Sequence, residues 1–202
     1  EGALTRSVPG KAFTLAVLRS ESEVEIQCRI VSALAAFSDL LAADREYLRA
    51  ISALLVERLV TRFADMQGPV HELIEALAKA SPAAMGEILW AEFERTREPR
   101  LRGFLLHGLV STTHDARSRA RLATAITALV SGLPEVAPDA RRLTGDLRLL
   151  GPDALEPLLA AIPGAPEGAR AQLLRCLDAL ACDPAVPTLL VNRVGNAILQ
   201  FL

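Results

Sequence analysis

Apolar residues recur every three or four positions along most of the chain, and that spacing predicts helix after helix. Ser20 or Ser22 is placed to cap a long helix whose buried stripe is Ile26, Ile30, Leu34, Phe37 and Leu41, with Glu21, Glu23 and Glu25 at its positive end. Asp44 starts the next helix. Leu48, Ile51, Leu55 and Leu59 form its stripe, and Tyr47, Leu54 and Phe63 widen it. Two helices of roughly twenty residues with a short link make an antiparallel hairpin.

Proline and glycine punctuate the remainder. Gly68-Pro69 is expected to open a helix ending near Lys79. Ser81-Pro82 supplies an N-cap and a first-turn proline for a helix carrying Met85, Ile88, Leu89, Trp90 and Phe93. Glu98-Pro99 breaks that helix, and Leu101–Val110 follows. Asp115 caps Ala116–Val130, Gly132-Leu133-Pro134 ends it, and Pro138-Asp139 begins Ala140–Leu150. The stretch Gly151–Leu190 has the clearest organisation. A short apolar helix follows Pro152, a Pro/Gly turn breaks it, and a second helix runs through Leu173, Leu174, Leu177 and Leu180 before Asp183-Pro184 restarts the cycle.

Pro82–Leu89 overlays on Pro152–Leu159 in its proline and its apolar positions, and Leu105, Leu106 and Leu109 then overlay on Leu173, Leu174 and Leu177. Helices of this kind cannot bury their own apolar faces and must stack on neighbours. The expectation is an all-α chain of roughly ten or eleven helices with short links. Residues 1–66 would form an N-terminal hairpin acting as a cap or dimer surface, and 67–202 a run of helical repeats continuous with it as one domain.

Gly151–Leu159 and Asp183–Leu190 resemble the first helix of a bacterial HEAT repeat, and Glu98-Pro99-Arg100-Leu101-Arg102 is similar to the turn and start of that repeat's second helix. Arg170, after Pro166-Glu167, sits comparably. The resemblance covers roughly 68–202 and is best over the last pair. It implies an α-α superhelix of HEAT-like hairpins and a binding or scaffolding role.

Composition agrees with helix: Ala and Leu dominate, and aromatic residues are only 4%. Hydrophobic content of 51% is high, yet no uninterrupted apolar run is long enough to span a membrane. A net charge of −2 gives no global attraction to nucleic acid or membrane. Lys11 and Lys79 are the only lysines among 22 basic residues, which with the abundant Ala points to a GC-rich bacterial source. Cys28, Cys176 and Cys182 form no CxxC and are odd in number, and Phe13–Leu18 is too short and wrongly flanked for a signal peptide. A reducing, cytoplasmic setting follows as an expectation.

Catalytic patterns are missing. His71-Glu72-Leu73-Ile74-Glu75 begins like the zinc-binding HExxH but has no second His, and GxxxxGK(S/T), GxGxxG and GxSxG do not occur. No catalytic residue, metal or cofactor is implied, and an enzyme is not expected. Two features suggest partners. Arg95, Arg97, Arg100, Arg102, Arg117, Arg119 and Arg121 are offset between 94 and 121 only by Glu94, Glu98 and Asp115. An acidic protein surface could dock on such a ridge. The last helix, 185–202, carries Arg193 as its only charge and is apolar nearly all round, so Leu199 and Phe201 need cover from self-association or a further chain. The sequence therefore points to a non-catalytic protein-binding scaffold or adaptor. The alternative is a nucleic-acid-binding domain of DNA-repair type using the same arginines, and a third reading is a small-molecule pocket near Trp90.

Overall fold

The computed structural model describes residues 8–133, 138–182 and 188–199, which are helical apart from short turns, with no β-strand among them. No helix among these residues is long and apolar enough to cross a membrane. They gather into two compact units, Glu1–Thr112 and Thr113–Leu202. The expected boundary at 66/67 falls inside a helix of the first unit.

The first unit comprises α1 (Val8–Ser20), α2 (Val24–Ala35), α3 (Ser38–Ala42), α4 (Arg45–Ala80), α5 (Pro82–Arg95) and α6 (Pro99–Val110). Helix α4 is its axis and packs against all five others. Asp44 starts α4 as expected: one carboxylate oxygen accepts from the Tyr47 amide at 3.0 Å, while the other takes Lys11 of α1 at 2.7 Å. The α4 stripe is buried as its spacing predicts, with Leu48, Ile51, Leu55 and Leu59 nearly sealed from solvent. Glu98 caps α6, its carboxylate accepting from the amides of Arg100 and Leu101, and Pro99 occupies the first turn, where its missing N–H costs nothing.

Four expectations need correction. The first long helix is two helices, α2 and α3, parted at Ala36–Phe37. Leu34 and Leu41 of the predicted stripe are buried, but the earlier turns bury Gln27 and Val31 in place of Ile26 and Ile30, and Ile26 is exposed. The polar Gln27 takes an inward place because its amide donates to the Glu21 carbonyl at 2.6 Å. Neither serine caps α2; Glu23 stands at the cap without a side-chain bond. Lastly, the break expected at Gly68-Pro69 lies at Arg62, whose backbone (φ −139°, ψ 43°) is not helical, and Pro69 sits inside the continuing helix. The apolar face runs on past the proline through Met66, Val70, Leu73 and Ile74, so packing holds the helix together there.

Arg62 donates to the Ser22 carbonyl at 2.7 Å, and Arg58, one turn earlier, donates to the carbonyls of Leu18 and Arg19. Those carbonyls lie at and just beyond the C-terminus of α1, where helical acceptors lack partners and a cation is favoured. Two arginines of α4 thus close the end of α1.

The second unit comprises α7 (Ala116–Ser131), α8 (Pro138–Leu150), a 3₁₀ turn (Gly151–Ala154), α9 (Leu155–Ala161), a second 3₁₀ turn (Ile162–Gly164), α10 (Glu167–Ala181) and α11 (Thr188–Leu199). Asp115 caps α7 by accepting from the Ser118 amide at 2.9 Å. Helix α7 packs against α8, α9 and α10, burying Leu122, Ala123, Ile126 and Val130. Gly151 has φ +59°, a left-handed conformation that ends α8 and turns the chain into the next helix.

A candidate protein-binding groove

Three helices of the first unit frame an open groove of about 450 Å³. Its floor is one face of the first half of α4, with Ala50, Ala53, Leu54 and Val56 and with Glu57 at the rim. Arg19, in the last turn of α1, forms one wall, and Glu92, Arg95 and Thr96 at the end of α5 form the other. Helical spacing explains the floor: residues three, four and seven apart share a face. The α4 face turned toward Leu48 and Ile51 fills the core, which leaves the small alanines outside it.

The charges of the groove are unevenly satisfied. Arg95 pairs with Glu92 of its own helix at 3.1 Å, and that Glu92 side chain is only 12% exposed. Arg19 and Glu57 are exposed and have no ion-pair partner among the described residues. Just beyond Thr96, Arg97 and Arg100 are also exposed and unpaired among these residues, while the nearby Glu98 carboxylate is committed to two backbone amides.

The arginines singled out in the sequence therefore have different placements. Arg95 lines the groove, and Arg97 and Arg100 stand beside its α5 end. Arg102 lies with its guanidinium 4.4 Å above the Phe93 ring, an internal cation–π contact. Arg117 and Arg121 are exposed on α7, in the second unit. Arg119 is turned inward on its own unit, donating to Asp153 at 2.7 Å and to the Leu150 carbonyl at 2.6 Å. On α11 Leu199 is 70% exposed, whereas Val194 is buried and Arg193 pairs with Glu156. Phe201 lies outside the described residues. Sequence reading missed Arg19 and Glu57, because nothing in the spacing links the end of α1 to the middle of α4.

Other candidate chemistry resolves into packing. The His71 and His107 rings stack at 4.8 Å, His71 lies 3.4 Å from Glu75 one turn on, and Phe104 meets both His71 and Phe63 edge-on. This cluster joins the second half of α4 to α6. Among the described residues no group of three or more His, Cys, Asp or Glu is arranged to hold a metal ion. Burial pushes the Cys176 thiol up to about 11, outweighing the nearby Arg148 charge, and burial followed by the Asp65 charge raises Cys28. Neither thiol is activated as a nucleophile. Trp90 is half-buried, sits edge-on to Phe93 at 5.5 Å and does not line the groove.

Comparison of the chain with models of known protein families, with curated proteins and with solved structures returns no match.

Proposed function

We propose that the chain is a non-catalytic protein-binding scaffold of the HEAT-like helical kind, and that the groove of its first unit is the docking surface. The observation that supports this reading is the groove itself, an open trough with an uncharged floor and unpaired charge at its rim. A small-molecule site encloses most of its ligand's surface, whereas an open trough covers one side of a larger partner. Arg97 and Arg100 add positive charge beside one end, suited to an acidic part of that partner.

The nucleic-acid reading is weaker. Arg102 and Arg119 commit their guanidinium groups to protein, which removes two of seven cations from a ridge that would need them on phosphates. The test is affinity capture from an extract of the source organism with the full chain and with Ala53→Arg, which fills the trough. A partner protein retained by the native chain and lost from the variant is expected. Equal recovery by a variant that melts like the native chain overturns the proposal, and salt-sensitive retention of duplex DNA by both would favour nucleic acid.

A further inference from the structure

We infer that the groove takes an α-helical segment of a partner protein whose docking face carries an acidic side chain for Arg19 and a basic side chain for Glu57. The inference rests on the protein-binding reading and names the chemistry of its occupant. Arg95 and Glu92 satisfy each other across one turn of α5. Arg19 and Glu57, which have opposite signs and come from α1 and α4, do not satisfy each other, and both line the same trough.

A purely acidic segment would suit Arg19 but meet repulsion at Glu57, and a purely basic one would meet the reverse. A segment bearing both signs on one face satisfies both rim charges. The floor of the same trough holds Ala50 and Ala53, which rise little above the α4 backbone and let another backbone come close. A helix fits such a surface because residues three or four apart share a face, so a Glu and a Lys one turn apart point the same way. Helix-in-groove docking needs no backbone donors or acceptors from the floor, and a helical floor offers none.

The probe is a labelled alanine-based helical peptide with Glu and Lys one turn apart, titrated into the full chain at low salt and followed by amide NMR. Shifts should concentrate at Arg19, Ala50, Ala53, Glu57 and Arg95. Arg19→Glu and Glu57→Arg should each weaken binding about fivefold or more, combining a lost rim pair with a new repulsion. Raised ionic strength should weaken binding by the native chain. Shifts elsewhere, no shifts, or variants that bind as tightly as the native chain would overturn the inference. So would matching shifts and affinity with the free dipeptide Glu-Lys, which would make the trough a site for a small zwitterion. If a captured partner is lost with Ala53→Arg while the peptide fails, the protein-binding reading stands and only the helical, mixed-charge occupant is lost.

Discussion

The Cys28 thiol of α2 lies 3.6 Å from the Asp65 carbonyl of α4, the one carbonyl whose helical donor Pro69 cannot supply. Residue 69 is four positions after Asp65, and a prolyl nitrogen has no hydrogen to give. A weak sulfur donor on a neighbouring helix faces the gap that a proline leaves inside α4. Cys28→Ala should therefore lower stability by about 1 kcal/mol, and Cys28→Ser, which keeps a donor, by less. Pro69→Ala should restore the amide and stabilise the first unit by about 1–3 kcal/mol. In that background Cys28→Ala should cost little. Denaturant melts of the four variants form a double-mutant cycle, and a coupling near zero would show that the thiol does not serve that carbonyl.

Replacing Gly151 tests backbone strain alone. A Cβ added there meets nothing within 4 Å, so no clash arises, but φ of +59° is costly for a residue with a side chain. Gly151→Ala should destabilise the second unit by about 1–2 kcal/mol, and Gly151→Asn by less. Thermal unfolding of both variants against the native chain checks the order.

Acid should weaken the first unit partly through Asp44. A hydrogen bond from Lys11, then the Tyr47 amide, holds its carboxyl below the usual carboxylate range. The folded state thus releases this proton more readily than the unfolded chain. Its stabilisation is fully present above the unfolded value, about 3.9, and is lost as pH falls through the lower folded value. Asp44→Asn keeps a cap but loses the charge, so its melting temperature should lie below that of the native chain near neutrality. The gap should close in strong acid, and a gap independent of pH would rule the charge out. Asp115 is lowered in the same sense by Ser118, first through its side chain and then its backbone.

Thiol labelling should proceed in a fixed order. Cys182 is exposed, Cys28 is half-buried with a raised pKa, and Cys176 is buried with a pKa of about 11. A disulfide reagent should modify Cys182 first, Cys28 more slowly and Cys176 only on unfolding, as kinetics read by mass spectrometry would show.

Much of the helical architecture was legible because wide apolar stripes announce themselves. Leu48, Ile51, Leu55 and Leu59, then Met85, Ile88, Leu89 and Phe93, and Leu173, Leu177 and Leu180 are buried as their spacing predicts, while Trp90 and Leu174 are only half-buried. The helix starts at Asp44 and Asp115 were readable because their chemistry is local, whereas Glu98, read only as a break, also caps α6. The first turns of the α2 stripe were misread because Gln27 outcompetes Ile26 for the interior by reaching a backbone carbonyl, a contact that hydropathy does not encode. The break at Arg62 was missed for a related reason: its guanidinium partner lies on the segment after α1, forty positions away. The groove was only partly visible. Arg95 stood out within an arginine-rich run, but Arg19 and Glu57 become neighbours only through packing.

The bend at Arg62 has a mechanical consequence. Arg58, one turn before the point where α4 departs from a straight course, and Arg62, at that point, both reach the end of α1. The same two side chains hold in place the short rod that carries Arg19. Straightening the long helix would unfasten that rod and withdraw one bank of the trough, so the shape of the recognition surface is tied to the curvature of a single helix.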